Sequence, residues 1–279
     1  MTSRESFTAD RLFEAGAGAG PILGIETGFQ VSAAAIVCGG RVVAERTASS
    51  SSHCAGLPCQ IGDLLEFAGL SLSDLRGFAI GLGPGSYTGL RVGLSYIKGL
   101  AAALAIPVAG VSSLDALAIA AAALKLMPVA SFVCPVVDAR KGEIYTALYR
   151  VGADALEKVT EDLVTAPEHF CPRIGGELLL VGDAKAQYAA SVLDTSDVRI
   201  GVLDAGRIAS LGGFVAALGA ARIARGESDL LAMLEPRYVR PVDATFRPAK
   251  AGSPIAGTED LWRPERKSCF ANLQPTTRN

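Results

Sequence analysis

The 279-residue sequence is poor in histidine, and this shortage excludes several kinds of catalytic and metal site. It contains only His53 and His169, and its six cysteines show no CxxC spacing. A zinc site needs three or four ligands, and because the cluster of His53, Cys54 and Cys59 has neither CxxC spacing nor a second histidine nearby, no metal is expected. Ser86 as a nucleophile also lacks a histidine close in sequence, although folding could bring one near.

Charge and long apolar runs are also scarce. Charged residues make up 19% of the chain and the formal net charge is −2, with no run of lysine and arginine. Unaided binding of nucleic acid is therefore not expected. The longest uncharged apolar stretch, Gly99 to Leu114, is broken by Pro107 and two serines and is too short to span a bilayer. Charges in the first twenty residues exclude a signal-peptide core, and the scattered thiols favour a cytoplasmic protein.

Glycine, in contrast, is abundant, and one stretch concentrates it. This stretch reads Gly81-Leu-Gly-Pro-Gly-Ser-Tyr-Thr-Gly-Leu-Arg-Val-Gly-Leu-Ser-Tyr-Ile-Lys-Gly-Leu100. The apolar run Phe78–Ile80 before it predicts a strand, and apolar spacing from Leu90 onward predicts a helix over about Thr88 to Leu104. A strand, a glycine-rich turn and a helix in this order can bind an anion. The stretch matches neither a Walker A loop nor a GxGxxG fingerprint, however.

Three glycines continue into the predicted helix, namely Gly89, Gly93 and Gly99. Each glycine inside a helix costs up to ~1 kcal/mol relative to alanine, so a compensating contact is expected. A second helix or a partner protein that lies very close to this face is the simplest compensation. An ordinary structural turn with close internal packing is the alternative.

The chain reads as two related halves. The first half predicts the order β-β-β-α-β-α, with strands at Ile22–Glu26, Val31–Val37, Arg41–Arg46 and Phe78–Ile80 and a helix over 57–70. The second half begins near Val108 and predicts a helix from Ser112 or Ser113 to about Leu126 and strands over 132–137, 143–151 and 177–181. Each half contains an apolar strand that ends in an acid, a tight turn and a returning strand. The pairs are Ile25-Glu26…Val31 and Val137-Asp138…Ile144, and they indicate an internal duplication.

The expected organisation follows from these halves. We expect a flexible leader over 1–20, a first subdomain over 21–110 and a second over 111–203. A helix over 204–225, with Asp204 as its cap, is expected to pack back onto the first subdomain. An extended segment over 226–249 and a poorly ordered tail over 250–279 complete the chain.

Four motifs, in order, resemble the TsaB (YeaZ) family, the dimerisation subunit of the bacterial tRNA threonylcarbamoyladenosine machinery. They are Ile22-Leu-Gly-Ile-Glu-Thr27, Gly83-Pro-Gly-Ser-Tyr-Thr-Gly-Leu-Arg-Val-Gly93, Val137-Asp-Ala-Arg-Lys-Gly-Glu-Ile-Tyr145 and Pro236-Arg-Tyr-Val-Arg240. The resemblance covers about residues 21 to 245. It implies an α/β, actin-like (ASKHA) fold with two subdomains, each a mixed β-sheet flanked by helices. The leader, the tail and Glu26 depart from the family pattern, in which aspartate is commoner at the first acid turn.

The resemblance also implies a non-catalytic role. Such proteins pair with a TsaD-like catalytic paralogue, and with a TsaE-like ATPase, to modify the adenosine beside the tRNA anticodon. The implied state without the partner is a homodimer, and tRNA is reached only through the complex. No cofactor is expected on this chain alone, although ATP or ADP at the interface with a partner stays open. TsaD-like subunits carry a His-x-x-x-His pair for their metal, which two isolated histidines cannot form.

The resemblance and the glycine spacing together assign two sets of candidate site residues. The expected partner interface consists of Gly85, Tyr87, Gly89, Leu90, Val92, Gly93, Tyr96, Ile97 and Leu100. Glu26, Thr27, Gly28 and Asp138 are the residues that could lie near a nucleotide, since the first three occupy the place of the first phosphate turn of an actin-like ATPase. In the simpler interpretation, which we favour, Glu26 only accepts hydrogen bonds from amides of its own turn.

Two enzymatic alternatives stay open at this point. An actin-like kinase or ATPase would use Glu26 or Asp138 as its acid or base, although Asp138, Arg140 and Glu143 equally fit a solvated hairpin with weak ion pairs. A glycoprotein endopeptidase is the other alternative, and the missing histidine pair argues against it.

Overall fold

The computed structural model describes residues 9–49, 53–125, 131–153, 155–170, 174, 176–183, 198–204 and 211–240. Within these residues the chain forms twelve strands and five α-helices, and the strands make two mixed sheets. None of the described helices is long and apolar enough to cross a membrane. The expected tail over 250–279, and residues 241–249 of the expected extended segment, lie outside the described residues.

The first sheet has the strand order β3-β2-β1-β4-β5. Its strands are β1 (Ile22–Glu26), β2 (Val31–Cys38), β3 (Arg41–Ser49), β4 (Gly77–Gly81) and β5 (Val108–Val111). Strand β2 is antiparallel to both of its neighbours, whereas β1, β4 and β5 are parallel. Helix α2 (His53–Ala68) joins β3 to β4, and helix α3 (Tyr87–Leu104) joins β4 to β5. Strands β1 and β4 are buried along their whole length, as continuous apolar runs predict.

The second sheet repeats this pattern with the order β10-β7-β6-β11-β12. Its strands are β6 (Phe132–Arg140), β7 (Glu143–Thr146), β8 (Tyr149–Val151), β9 (Leu156–Lys158), β10 (Leu163–Thr165), β11 (Gly176–Gly182) and β12 (Val198–Asp204). Strand β7 is antiparallel to both β6 and β10, and β6, β11 and β12 are parallel. Strands β8 and β9 lie outside this five-strand order. The other five match the first sheet in order and direction, which confirms the predicted internal duplication.

The strand that the sequence predicted over 143–151 is interrupted at Ala147 and Leu148. Its register against β6 nevertheless continues across the break, because Thr146 lies opposite Val136 and Tyr149 lies opposite Val133. The break falls opposite Pro135, which has no N–H group for the ladder. The short strand β8 after the break then turns into a hairpin with β9.

Two buried helices lie between the sheets and shape the core. Helix α4 (Ser113–Ala123) and helix α5 (Leu211–Ala224) are apolar on nearly all sides, which is typical of helices surrounded by protein. Helix α5 packs on β1, β2, β4 and β5, where a side chain on Gly24 would collide with the backbone of Ala216. Asp204 ends β12 and the described helix starts at Leu211, with the residues between them outside the described part, so the predicted cap at Asp204 stays a prediction.

The prediction of a flexible leader is wrong for the part of it that the structure describes. Residues Ala9–Ala15 form helix α1, and a 3-10 turn follows at Ala17–Ala19. Leu12 is fully buried, and the ring of Phe13 meets that of Phe214 edge-on with 5.6 Å between the centroids. Its large apolar side chains are enough to anchor this segment on α5. They stand among charged residues in the sequence, so composition alone did not reveal the anchor. Residues 1–8 lie outside the described part.

Residues 227–240, which we call the C-terminal strap, run along one side of the molecule with little regular structure. At its start, the Asp229 carboxylate accepts from the amide of Gly110 on β5 at 2.7 Å, and Arg222 of α5 donates to both Asp229 and the Gly110 carbonyl. The strap then passes α3, where the Lys98 ammonium donates to the carbonyl of Leu234. It therefore follows the outer edge of β5 and the flank of α3.

Candidate functional site

The glycine-rich turn between β4 and α3 is held by the chain itself on two sides. The amide of Gly83 donates to the Ser113 hydroxyl and the amide of Ser113 donates back to the Gly83 carbonyl, both at 3.0 Å. On the other side, the amide of Ser86 donates to the carbonyl of Gly28 at 2.7 Å. The Ser86 hydroxyl also caps α3 by accepting from Gly89. Four polar groups of this turn, the amides of Gly83 and Ser86, the Gly83 carbonyl and the Ser86 hydroxyl, therefore serve internal contacts.

The glycines at the start of α3 face the β1–β2 turn, which corrects part of the predicted interface. A Cβ atom on Gly89 would collide with the carbonyl oxygen of Thr27, and one on Gly93 would collide with the Thr27 side chain. Gly85 lies equally close to the backbone of Gly28. These glycines allow close contact within the chain, so the prediction that they make room for a partner is wrong.

Two apolar residues of the predicted interface are also part of the monomer core. Leu90 is 2% exposed and Ile97 is fully buried, and Ile97 packs with residues of β1 and β4. Neither side chain can reach a partner without unfolding of α3. The other members of the predicted set, which are Tyr87, Val92, Tyr96 and Leu100, are exposed or half-buried. For the outer side of the helix, the partner interface therefore stays a prediction.

The outer side of α3 presents small residues to solvent and continues onto α2. Both helices cover the same side of the first sheet, and α5 covers the other. The part of their solvent-facing surface that we call the α2–α3 face consists of Pro58, Cys59, Gly62, Thr88, Val92, Ser95, Tyr96, Gly99 and Leu100. A Cβ atom on Gly62 or on Gly99 would meet nothing within 4 Å. Sequence analysis overlooked Cys59 and Gly62, although their i, i+3 spacing places them on one side of α2.

The carboxyl group of Glu26 is sealed inside the protein at the β1–β2 turn. Its Oε1 accepts from the amide of Gly28 at 2.6 Å, whereas its Oε2 makes no hydrogen bond of normal geometry, and neither does the Thr27 hydroxyl. Burial raises the pKa of Glu26, and the nearby Ser113 hydroxyl and the amides of Gly28 and Thr27 oppose that rise in part. Glu26, Thr27 and Gly28 are all buried, so this turn does not fit a nucleotide phosphate.

The second acid turn, between β6 and β7, is more exposed and is built around Asp138. Its carboxylate accepts from the amide of Arg140 at 2.7 Å, and the Arg140 guanidinium lies 3.3 Å away but is mostly in solvent. Arg140, Lys141 and Gly142 all have left-handed backbone angles, so the Asp138 carboxylate organises a strained turn. The Glu143 carboxylate beside it pairs with Arg240 of the strap.

Sequence analysis did not connect Asp183 with this turn. The residue follows β11, and its Oδ1 accepts from the amide of Asp138 at 2.9 Å. Burial raises the pKa of Asp183, the Asp138 amide opposes that rise, and the negative charge of Asp138 adds to it. Strand ends that are adjacent only in the folded sheet meet here, so no local pattern could have revealed the pair.

No group of three or more His, Cys, Asp or Glu that could hold a metal occurs in the described part of the chain. The side chains of His53 and Cys54 lie outside what the structure describes, so the prediction of no metal there stays a prediction.

The two matching sheets, with α5 and α4 packed between them, define an actin-like (ASKHA) α/β protein. Comparison with known proteins agrees with the motifs. The family model for TsaD, tRNA N6-adenosine threonylcarbamoyltransferase, matches residues 41–191. The chain is 33% identical to TsaB, a tRNA threonylcarbamoyladenosine biosynthesis protein, of Escherichia coli K12 over 165 residues, which is 58% of this chain and 70% of that protein. It belongs to the TsaB (YeaZ) family.

Two further comparisons set the extent of the likeness. TsaB of Bacillus subtilis 168 is 34% identical over 142 residues, which is 50% of this chain and 60% of that protein. Among solved structures, YeaZ from Pseudomonas aeruginosa superposes with a TM-score of 0.67 and 26% identity, over 78% of this chain and 99% of that chain. The sequence alignments thus span 60% and 70% of the two curated relatives, whereas the fold is shared along nearly the whole solved chain.

Proposed function

We propose that this chain acts in the synthesis of threonylcarbamoyladenosine on tRNA as a non-catalytic docking subunit. Its α2–α3 face binds a TsaD-like catalytic paralogue, a TsaE-like ATPase completes the machinery, and the same face forms a homodimer when the paralogue is absent. The names of the E. coli and B. subtilis relatives support the pathway. The docked subunit would hold the sheet and the active cleft of the paralogue in a productive arrangement, and tRNA would be bound by the assembled complex.

The observation that carries this proposal is the pair of open glycines, Gly62 and Gly99. Each lies inside a helix, where glycine costs up to ~1 kcal/mol relative to alanine. Gly89 and Gly93 are explained by close contact with Thr27, but nothing in the described part of the chain lies within 4 Å of a Cβ atom placed on Gly62 or Gly99. A partner helix whose backbone lies against these positions would explain both residues, since small residues allow helices to approach closely.

The arrangement of the acids supports a non-catalytic role. Glu26 is fully buried beneath the glycine-rich turn, where it cannot touch a substrate, and Asp138 is occupied by the amide and guanidinium of Arg140. An ATPase or kinase that used either acid would need a different arrangement of these turns. ATP or ADP, if it takes part, would be held jointly with the partner, and the subdomains over 21–110 and 111–203 would act as one scaffold.

Reconstitution provides the direct test of this function. The chain would be combined with the TsaD-like and TsaE-like proteins of the same genome, the activated threonylcarbamoyl donor and tRNA. Modified adenosine would be measured by mass spectrometry of digested tRNA. We expect modification to fall at least tenfold when this chain is omitted. Equal modification with and without the chain would refute the proposed role, and nucleotide hydrolysis by the isolated chain would favour the enzymatic alternative.

Replacement of Gly99 by leucine tests the docking face. We expect Gly99→Leu to weaken binding to the TsaD-like paralogue at least tenfold, because the new side chain holds the partner helix away. The melting temperature of the isolated variant should stay equal or rise, since leucine is the better helix former and meets no neighbour. Affinity would be measured by calorimetry and stability by thermal unfolding.

Gly18→Leu is the matched control, because Gly18 is also exposed with nothing within 4 Å of a Cβ atom but lies on the α1 side of the molecule. Unchanged affinity of Gly99→Leu would remove the α2–α3 face from the interface. Gly93→Leu is unsuitable for this purpose, since its collision with Thr27 would disturb the fold itself.

A further inference from the structure

Exposed apolar side chains mark the outer side of the C-terminal strap. Leu230 and Met233 are each 75% exposed and Tyr238 is 42% exposed. Leu234, which lies between Met233 and Tyr238 in the sequence, is buried in the core that the first sheet forms with α2 and α3. The strap is held in position by this buried side chain and by three hydrogen bonds. They run from Lys98 to the Leu234 carbonyl, from the Arg237 amide to the Leu82 carbonyl and from the Asp229 amide to the Val108 carbonyl. The outer side chains therefore form an ordered apolar strip that follows the flank of α3.

At one end of this strip, Arg91 of α3 lies against a pair of tyrosine rings. Its guanidinium carbon lies 4.1 Å from the centre of the Tyr87 ring, and its Nε donates to the Tyr238 hydroxyl at 2.9 Å. The two rings are 5.4 Å apart, and Tyr87 is 54% exposed. Stacking and the hydrogen bond orient the guanidinium while they leave it in solvent.

Arg91 differs from the other arginines near the strap in having no carboxylate partner among the described residues. Arg222 is paired with Asp229, Arg240 with Glu143, and Arg237 lies 3.9 Å from Asp162. The hydrogen bond and the ring contacts of Arg91 within the described part of the chain are with Tyr87 and Tyr238. An oriented, solvent-facing cation beside aromatic and apolar side chains is complementary to an acidic side chain on a partner protein. Tyrosine and arginine are also the residues that most often dominate protein interfaces.

We propose that Tyr87, Arg91 and the outer side of the strap form a second contact strip for the catalytic paralogue, and that Arg91 binds an acidic side chain of that protein. This inference rests on the proposed function, and it adds a charged contact to a face described so far by small residues. The strip adjoins the α2–α3 face, because Arg91 lies one helical turn before Ser95, a member of that face, and both residues are exposed. The α2–α3 face would then set the distance between the two proteins, and Arg91 would set their orientation.

The test measures the affinity of the full chain for the paralogue at low and at moderate salt. We expect Arg91→Gln to weaken binding at least tenfold at low salt and to reduce its salt dependence, since one ion pair is lost. Arg91→Glu should weaken binding further. If the acidic partner residue of the paralogue is changed to Arg, that paralogue variant should bind Arg91→Glu again, and it should not bind the wild-type chain better. Arg150→Gln is the matched control, because Arg150 is an exposed arginine on β8 that is paired with Glu157.

Each outcome is decisive and separates this strip from the docking proposal. If Gly99→Leu weakens the heterodimer while Arg91→Gln does not, the strip is refuted and the α2–α3 face stands. If the wild-type chain does not bind the paralogue, both proposals fail. An effect of Arg91→Gln on the homodimer alone would assign the strip to a second copy of this chain. Lost binding of an anticodon stem-loop RNA by an intact heterodimer would assign it to RNA, and either result refutes the proposed occupant.

Discussion

Gly89→Ala is expected to lower the free energy of unfolding by about 3 kcal/mol, whereas Gly99→Ala on the same helix is expected to raise it by about 0.5–1 kcal/mol. A methyl group on Gly89 would collide with the carbonyl oxygen of Thr27, which is backbone and cannot move without opening the β1–β2 turn. A methyl group on Gly99 meets nothing within 4 Å and adds helix propensity. The two substitutions are chemically identical, so their difference reports the surroundings of the two positions.

Chemical denaturation of the two variants and the wild type provides the measurement. Comparable m-values would show that the variants unfold as the wild type does, so that the midpoints can be compared directly. A loss of stability below about 1 kcal/mol for Gly89→Ala would show that α3 can shift away from the turn. Destabilisation by Gly99→Ala would mean that this glycine has an internal role.

Glu26→Gln is expected to stabilise the protein by about 2 kcal/mol at pH 8, with a gain that vanishes toward pH 4. Burial raises the pKa of the Glu26 carboxyl above its ordinary value of 4.5. Between 4.5 and that raised pKa, the native state binds more protons than the unfolded state. The wild-type contribution is therefore complete below pH 4.5 and is lost as the pH rises through the native pKa. Glutamine does not titrate, and its amide can keep the hydrogen bond from Gly28.

The pH dependence distinguishes this effect from a change of packing. Unfolding would be followed from pH 4 to pH 9 for the wild type, for Glu26→Gln and for Glu66→Gln, which removes one carboxylate from the exposed side of α2. Only the first variant should gain stability as the pH rises. A gain that is independent of pH would show a change of packing, and a loss at pH 8 would show that the buried carboxyl is stabilised as an anion.

Much of the fold could be predicted from local patterns. Continuous apolar runs located β1 and β4, and Ser112 was one of two serines expected to begin α4. The repeated strand-acid-turn pattern at Glu26 and Asp138 predicted the duplication. A two-strand hairpin is recognisable from residues that are close in sequence, and one occurs at the same place in each half. Positions that depend on short-range hydrogen bonding and burial were thus accessible.

The direction in which a helix faces was not accessible. Small residues occur on both sides of α3, and spacing alone does not indicate whether Gly93 or Gly99 faces the body of the protein. The structure decides this through the β1–β2 turn, which is distant in sequence and occupies the side of Gly89 and Gly93. Contacts such as Tyr238 with Arg91, or Asp183 with Asp138, likewise join segments whose proximity only the folded chain defines.

The bonds that Asp229 and Arg222 make to β5 also restrict how copies of this protein can associate. They occupy the amide and the carbonyl of Gly110, while the amide of Asp229 occupies the carbonyl of Val108. A strand from another molecule would need these same groups in order to extend the sheet, so edge-to-edge growth and the aggregation that follows from it are blocked at β5. Contact with another protein at this strand would then depend on side chains and complementary shape rather than on backbone pairing.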